Sequence, residues 1–415
     1  MAARRTIVIV GANLAGGRAA ETLRQEGFDG RIILIGDEPH RPYERPPLSK
    51  EVLRGEAEPD VAFLRPEEYY TENDIELLLG ARATNIDTEA QIVALAEGLQ
   101  LNYDDLLLCT GGRPRTLDLP GKDLEGIHTL RTFEDAFAIR ERVRPGAKVV
   151  VVGAGFIGAE VAASARAMGA EVTLLEVAAV PLERALGAEV GRILGDIHED
   201  HGVDLRTSVS IERFDGDGRA RAVVLADGTT FDADVVVLGV GIAPNEQLAR
   251  SAGIACDNGI VVDEHCRTNI PNIYAAGDVA NHPNPIVGER IRVEHWQNAQ
   301  NQAAAVAKAM LGATDGFAEV PWFWSDQFDV NLQMFGHPSN WDRIVFRGDV
   351  DAGEFAAFYL RGARIVASFA VNRQKDARAV RPLIAGRFDV DPSVLSDADE
   401  DLRAYAKRAA ALPPA

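Results

Sequence analysis

Gly153, Gly155 and Gly158 follow four consecutive valines, Val149–Val152, and open a stretch of helical periodicity. A glycine at the first position allows a tight turn after a strand. One at the second lets backbone approach a pyrophosphate, and one at the third packs helix against strand. The helix start, which includes Phe156 and Ile157, then offers free N–H groups and a positive dipole end to phosphate. Glu176 lies 23 residues past Gly153, where a second strand should end and a carboxylate can accept both hydroxyls of a ribose. A 2′-phosphate there would meet a like charge, costing about 1–4 kcal/mol at contact distance. Val177, Ala178 and Ala179 supply no cation to receive one, so the pattern favours NADH over NADPH unless Arg184 folds back.

A second, earlier copy reads Gly11-Ala12-Asn13-Leu14-Ala15-Gly16, with asparagine at the middle glycine position. Asparagine tolerates left-handed backbone, and its amide can itself hydrogen-bond a phosphate. Asp37, 26 residues past Gly11, takes the ribose position. Two dinucleotide loops on one chain restrict the chemistry. A nicotinamide delivers a hydride, so the second dinucleotide is most useful as a flavin, which accepts two electrons and releases them singly.

The elements that position these loops repeat. TIVIVGANLAGGRAAETLRQEGFDGRIILIGDE and KVVVVGAGFIGAEVAASARAMGAEVTLLE each read as strand, glycine turn, helix, strand and acid. Continuous Val/Ile runs imply strands buried on both faces, as in a parallel sheet between helices. Short strands are expected at Gln91–Leu95 and Asp105–Leu108, and a buried strand at the start of Val235–Asn245. A helix should run through Ala309. Beyond Pro321 the pattern alternates over Asp342–Val350, Glu354–Leu360 and Arg364–Val371, with a turn at Arg361-Gly362. Helices follow from Gln374 and from Asp397. The expected architecture is α/β, with two Rossmann-like dinucleotide-binding domains and a C-terminal α+β domain. The expected domains are 1–112 and 241–318 for the flavin, 113–240 for NAD and 319–415 for the tail.

Composition closes off other classes. With 43 Lys and Arg against 63 Asp and Glu, the chain of 415 residues carries a formal charge of −20. That disfavours nucleic acid and anionic membrane surfaces as partners. Its 47% hydrophobic and 26% charged residues are ordinary for a folded globular chain. Cys109, Cys256 and Cys266 form neither a disulfide framework nor a zinc spacing. The N-terminal apolar stretch runs straight into a glycine turn, so it reads as a first strand, and a cytoplasmic location is the expectation.

RPYERPPLSK (Arg41–Lys50), TGGRPR (Thr110–Arg115), IYAAGDVA (Ile273–Ala280), RVEHWQNAQNQ (Arg292–Gln302) and PWFWSDQFD (Pro321–Asp329) occur in this order. Together with the two loops they closely resemble the FAD- and NADH-dependent ferredoxin reductases of bacterial oxygenase systems. The resemblance covers nearly the whole chain and implies a glutathione-reductase-like fold. It further implies that Leu14, Ala15, Asp37, Arg45, Lys50, Ala83, Arg131, Asp278 and Trp296 line the FAD. Gly241, Gly277, Glu294, His295 and Trp324 complete the cofactor set. Asp278 after Gly277 suits a flavin ribityl hydroxyl or a helix N-cap. Arg131 also reads as a surface arginine, His295 as a packing residue, and Trp322 and Trp324 as core aromatics. Lys50 and Glu160 are the expected pair near the hydride path, with Glu160 facing the nicotinamide carboxamide and Lys50 near the reactive flavin nitrogen. The bland reading makes both surface charges.

The resemblance implies a [2Fe–2S] ferredoxin as partner and, beyond it, a cytochrome P450 or Rieske oxygenase, with the reductase a monomer or homodimer. Docking two acidic proteins needs a local cationic surface. Val371–Arg387 holds five cations against one acid, and Arg65, Lys308 and Arg343 are further candidates. A disulfide reductase or peroxidase of the same fold would need a cysteine within Glu38–Leu53, which has none. A redox-controlled partner-binding flavoprotein of the apoptosis-inducing-factor type, which shares RPPLSK, is the alternative function.

Overall fold

Thr6–Val10 is apolar at every position after its first, and the structure, a computed structural model describing residues 4–411, places it at the centre of a five-stranded sheet. The strand order is Ile273–Ala275, Asp105–Leu108, Thr6–Val10, Arg31–Ile35 and Ile75–Leu78, with all neighbours parallel. Alternate side chains of the central strand go to different layers. Ile7 and Ile9 pack with Leu23 and Val306 of helices Leu14–Gln25 and Trp296–Met310. Val8 and Val10 pack instead on Val93 and Leu101 of a small antiparallel sheet, Ala83–Asp87, Ile92–Leu95 and Gln100–Asn102.

The second copy repeats this plan. Its parallel order is Asp204–Arg206, Glu171–Leu175, Lys148–Val152, Val235–Leu238 and Ile127–Thr129. Val149 and Val151 face helix Phe156–Ala167 through Val161, Ala162 and Ala165. Val150 and Val152 face an antiparallel sheet through Phe214, Val223 and Leu225. Both central strands are therefore buried on two faces, but between a helical layer and a β layer, not between two helical layers. An apolar run records burial and not the kind of neighbour that provides it.

The C-terminal sheet has the order Trp322–Gln327, Val330–Gly336, Arg364–Val371, Glu354–Arg361 and Arg343–Asp349. The last three strands fall where alternation put them, and Gly362 turns with φ of +61°. Helix Gln374–Ala379 begins as expected, whereas Asp397 closes the short helix Pro392–Ser396. The last helix, Leu402–Ala410, starts on Asp401, whose carboxylate accepts from the N–H groups of Arg403 and Ala404. Capping by the later acid outcompetes the earlier one.

The chain divides into two units. Among the described residues the first holds 4–44, 62–113 and 244–323, and the second holds 45–61, 114–243 and 324–411. Segment 45–61, with its PPLSK sequence, thus belongs with the second glycine loop. No helix among the described residues is long and apolar enough to cross a membrane.

One buried group in the first unit ties stability to pH. His282, in strand Ala280–Asn284, is 1% exposed, and neither ring nitrogen has a hydrogen-bond partner among the described residues. Burial, aided by Arg290, pushes its pKa down from 6.5 to about 4. The unfolded chain therefore takes up the proton first as pH falls. Stability is full above about pH 6.5 and lost progressively toward pH 4, by about 3 kcal/mol. Urea unfolding at pH 7 and pH 4.5 should show a smaller acid loss in His282→Gln than in the parent protein.

Candidate active site

In the second unit the chain turns at Gly153, with φ of +96°, where an added Cβ would lie 2.7 Å from the Gly239 carbonyl oxygen. A Cβ on Gly158 would lie 1.9 Å from the Gly153 carbonyl oxygen, so helix and turn meet backbone to backbone. Gly155 differs. It caps helix Phe156–Ala167 in extended backbone, φ −78°, with no side-chain cap, and the nearest atom to a Cβ there is 3.8 Å away. That open space in front of uncapped helix N–H groups is what a pyrophosphate requires. Gly239, which packs on Gly158 Cα, completes the turn and was not singled out from the sequence.

Glu176 follows strand Glu171–Leu175 directly. Its carboxylate accepts from the N–H of Ala154 at 2.6 Å and of Ala178 at 2.8 Å. These bonds tie it to the glycine loop and use two of roughly four acceptor positions, leaving two for ribose hydroxyls. Val177 beside it is 70% exposed and Ile157 46%, two apolar surfaces flanking the loop. Gly241 is exposed, with φ of +91°, and its carbonyl accepts from the Arg115 N–H at 2.9 Å.

Four residues into the same helix, Glu160 points inward. Its Oε2 meets Lys50 Nζ at 2.9 Å and accepts from Ser49 Oγ at 2.5 Å, and its Oε1 accepts from Ser325 Oγ at 2.7 Å. The Lys50 and Glu160 side chains are only 11% and 5% exposed, so neither is a surface charge. Pro46–Ser49 forms a tight 3-10 turn that delivers Lys50, whose Nζ lies 3.3 Å from the Pro46 carbonyl oxygen. Arg45 donates to the Arg131 carbonyl, and the Arg131 N–H donates to Asp135, which closes a capping box with Thr132. Trp324 is half-buried in strand Trp322–Gln327. Sequence reasoning missed Ser49 and Ser325, although both lie in segments it had marked.

In the first unit, Asn13 caps helix Leu14–Gln25. Its Oδ1 accepts from the N–H groups of Ala15 at 3.0 Å and Gly16 at 3.3 Å, and its Nδ2 donates to the Cys109 carbonyl at 2.6 Å. Its φ of −111° is not left-handed. The expectation of a left-handed asparagine with its amide turned to phosphate is thus corrected: the side chain serves the loop's own backbone. Gly16 remains obligatory, since a Cβ there would lie 2.0 Å from the Gly11 carbonyl oxygen.

Gly277, with φ of +81°, brings the AGD turn against the same loop, a Cβ on it lying 3.0 Å from Ala15 Cβ. Its N–H donates to the buried Gln302 at 2.9 Å. Asp278 does not open a helix; it sits in a turn between strands Ile273–Ala275 and Ala280–Asn284. The N-cap role therefore falls, and Asp278, the residue after the glycine that adjoins the loop, is half-buried. Arg292 joins the Asp278 carbonyl to Glu294, at 3.1 and 2.5 Å. His295 caps helix Trp296–Met310 by backbone alone, its ring 4.6 Å from that of Phe323. Burial raises the Glu44 carboxyl, opposed by a hydrogen bond from Trp296. Asp37 is exposed and pairs with Arg82, the neighbour of Ala83, at 3.5 Å.

Cys109 and Cys266 are fully buried, and burial pushes both thiols up, Cys266 to about 12. Burial also raises Cys256. None has the depressed pKa of a redox thiol.

Residues 5–303 match the family model described as pyridine nucleotide-disulphide oxidoreductase, and 322–406 match Reductase C-terminal. The chain is 41% identical to rhodocoxin reductase of Rhodococcus erythropolis, over 96% of this chain and 93% of that one. It is 43% identical to the ferredoxin–NAD(+) reductase component of the anthranilate 1,2-dioxygenase system of Burkholderia cepacia, over 96% and 98%. A crystal structure of the covalent putidaredoxin reductase–putidaredoxin complex superposes with a TM-score of 0.96 at 38% identity, covering 99% of this chain and 100% of that one. With both dinucleotide loops and the C-terminal domain matched, the chain belongs to the pyridine nucleotide-disulphide oxidoreductases, in the branch of the ferredoxin–NAD(+) reductases of oxygenase systems.

Proposed function

We propose that this chain is an NADH-dependent ferredoxin reductase that passes electrons through FAD to a [2Fe–2S] ferredoxin serving a cytochrome P450 or Rieske oxygenase. The observation that carries it is one helix doing two jobs. Phe156–Ala167 opens at an uncapped glycine loop beside Glu176, and four residues on it holds Glu160 buried against Lys50. Bound FAD supplies two-electron uptake from NADH and one-electron release to the ferredoxin. The chain's own residues bind and orient. Gly155 and the helix start receive the NADH pyrophosphate, Glu176 the ribose, and Glu160 the carboxamide. Gly11–Gly16 and the Gly277–Asp278 turn belong to the same proposal as the seat of the second dinucleotide: a Cβ on Gly277 would lie 3.0 Å from Ala15 Cβ, so turn and loop adjoin. Arg45, Lys50, Arg131, Trp296 and Trp324 belong to the same proposal as flavin-lining residues. So do the domain limits 1–112 with 241–318, 113–240 and 319–415, and a cytoplasmic location.

Stopped-flow spectroscopy of the purified yellow protein tests the reading. NADH should bleach the flavin band quickly and NADPH slowly, and a cognate ferredoxin should restore it. A colourless protein, or flavin inert to NADH, overturns it. Glu176→Ala should narrow the NADH/NADPH gap by roughly tenfold or more, matching the removal of a like-charge penalty above 1.4 kcal/mol.

For ferredoxin docking, the basic window offers Lys375, Arg378 and Arg387 exposed, while Arg373 is held by Asp376 at 2.7 Å. Arg65 is paired with Glu21 and Lys308 with Glu26, so their charges are partly spent. Reversing charge at Lys375 and Arg378 together should slow ferredoxin reduction several-fold and steepen no other step, consistent with loss of electrostatic steering. Equal rates at low ionic strength would remove this surface from the docking proposal.

A further inference from the structure

Ser325 is fully buried, and its hydroxyl has one proton to give. Glu160, held beside the Lys50 ammonium, is an acceptor, so the Ser325 hydroxyl donates to Glu160 Oε1 at 2.7 Å. Its oxygen then accepts from Gln327 Nε2 at 3.1 Å, which leaves Gln327 Oε1 facing His198 Nε2 at 2.9 Å. An amide oxygen accepts, so His198 donates from Nε2. Gln327 and His198 are themselves buried, and His198 Nδ1 has no partner among the described residues. One assignment satisfies every link, and all donors point the same way, ending on a carboxylate. Links of such a chain polarise one another.

We propose that Ser325 is a positioning residue for Glu160, the last donor of a one-way chain from His198 through Gln327. The inference rests on the reading of Glu160 as the carboxylate that meets the nicotinamide carboxamide. Oε2 of Glu160 already takes Lys50 and Ser49. With Ser325 on Oε1, three fixed donors stop the carboxylate from rotating and leave about one acceptor position for the carboxamide N–H. Ser325 and Gln327 lie on strand Trp322–Gln327 and His198 on helix Glu183–Asp200. The segment matched as Reductase C-terminal therefore supplies part of the support of the nicotinamide site. Burial lowers the His198 pKa, in keeping with the neutral Nε2–H form.

The test uses the FAD-loaded protein and its Ser325→Ala, Ser325→Thr and Gln327→Met variants. Calorimetry with NAD+ and stopped-flow reduction by NADH should show Ser325→Ala weakening NAD+ binding and lowering the limiting rate of flavin reduction, each about fivefold or more, as expected for losing a hydrogen bond to a charged group. Ser325→Thr should restore both, and Gln327→Met should shift them in the same direction by less. Electron transfer from dithionite-reduced flavin to ferredoxin should be unchanged in all three. Nitrogen-15 spectra of labelled histidine should give His198 as the Nε2–H tautomer in the parent protein. Wild-type binding and rates in Ser325→Ala, or an Nδ1–H or doubly protonated His198, overturns the proposal. If the parent protein itself is not reduced by NADH, the functional reading fails instead, and the histidine spectrum still decides the chain.

Discussion

Lys50→Met should destabilise the protein by about 3–5 kcal/mol, because it strands the buried Glu160 carboxylate without its cation. Adding Glu160→Gln should return most of that stability, since Ser325 can still donate to the amide oxygen, the amide N–H can donate to Ser49 Oγ while that hydroxyl turns to the Pro46 carbonyl, and no charge is left uncompensated. Flavin reduction by NADH should not return with it. If the ammonium steadies negative charge arriving on the flavin and Glu160 orients the carboxamide, both variants stay slow, by roughly 100-fold, the usual scale for losing one preorganised charge. Urea unfolding reads the first quantity and stopped-flow absorbance the second. A double variant that recovers stability and rate together would make the pair a structural ion pair alone. The separation is informative because a buried pair is weak evidence for stability by itself: well-packed neutral groups often serve as well.

The same pair shows what was legible in the sequence. Both residues stood in motifs, one after a proline turn and one after the third glycine, and position alone put them near the chemistry. Ser325 was not found, although the signal is present. Strand side chains alternate, and in Trp322–Gln327 the buried set is Phe323, Ser325 and Gln327, with Trp322 and Trp324 half-buried on the other face. Two polar residues sharing parity with a core phenylalanine announce a buried polar network. The tryptophans drew attention to the opposite parity.

Where the reading departed from the structure, a local pattern had two physical solutions. Ala-Ala-Gly-Asp suits a helix start, but Gly277 takes φ of +81° and the chain after Asp278 turns into a strand. Asn13 suits left-handed backbone, but its side chain finds two helix N–H groups and settles as a cap in extended backbone. Neither choice is decided within the few residues that carry the motif. Gln302, 25 residues beyond Gly277, accepts the N–H of that glycine and holds the turn; Cys109, far along the chain from Asn13, receives its amide. Val/Ile runs likewise located both central strands without showing that an antiparallel sheet would cover the second face of each.

Gly155→Ala and Gly158→Ala should fail in different ways, although both alter one loop by one methyl. At Gly158 the methyl would sit 1.9 Å from the Gly153 carbonyl oxygen, a backbone atom fixed by strand Lys148–Val152, and Gly239 packs on the same Cα. Helix and turn must part, so stability should fall by about 1–3 kcal/mol or more, with NADH binding lost as a consequence. At Gly155 the backbone has φ of −78°, which alanine adopts freely, and no atom lies within 3.8 Å. Folding should be unaffected. The methyl instead occupies the approach of the pyrophosphate to the helix N–H groups. Losing one or two charge-assisted hydrogen bonds there should weaken NADH binding by about 100-fold. Thermal unfolding paired with NAD+ calorimetry reads both outcomes. Retention of parent affinity in a folded Gly155→Ala would mean that phosphate does not reach this loop, and with it the assignment of the second glycine motif to NADH would go. The flavin spectrum should stay intact in Gly155→Ala, because FAD is assigned to the other loop, Gly11–Gly16.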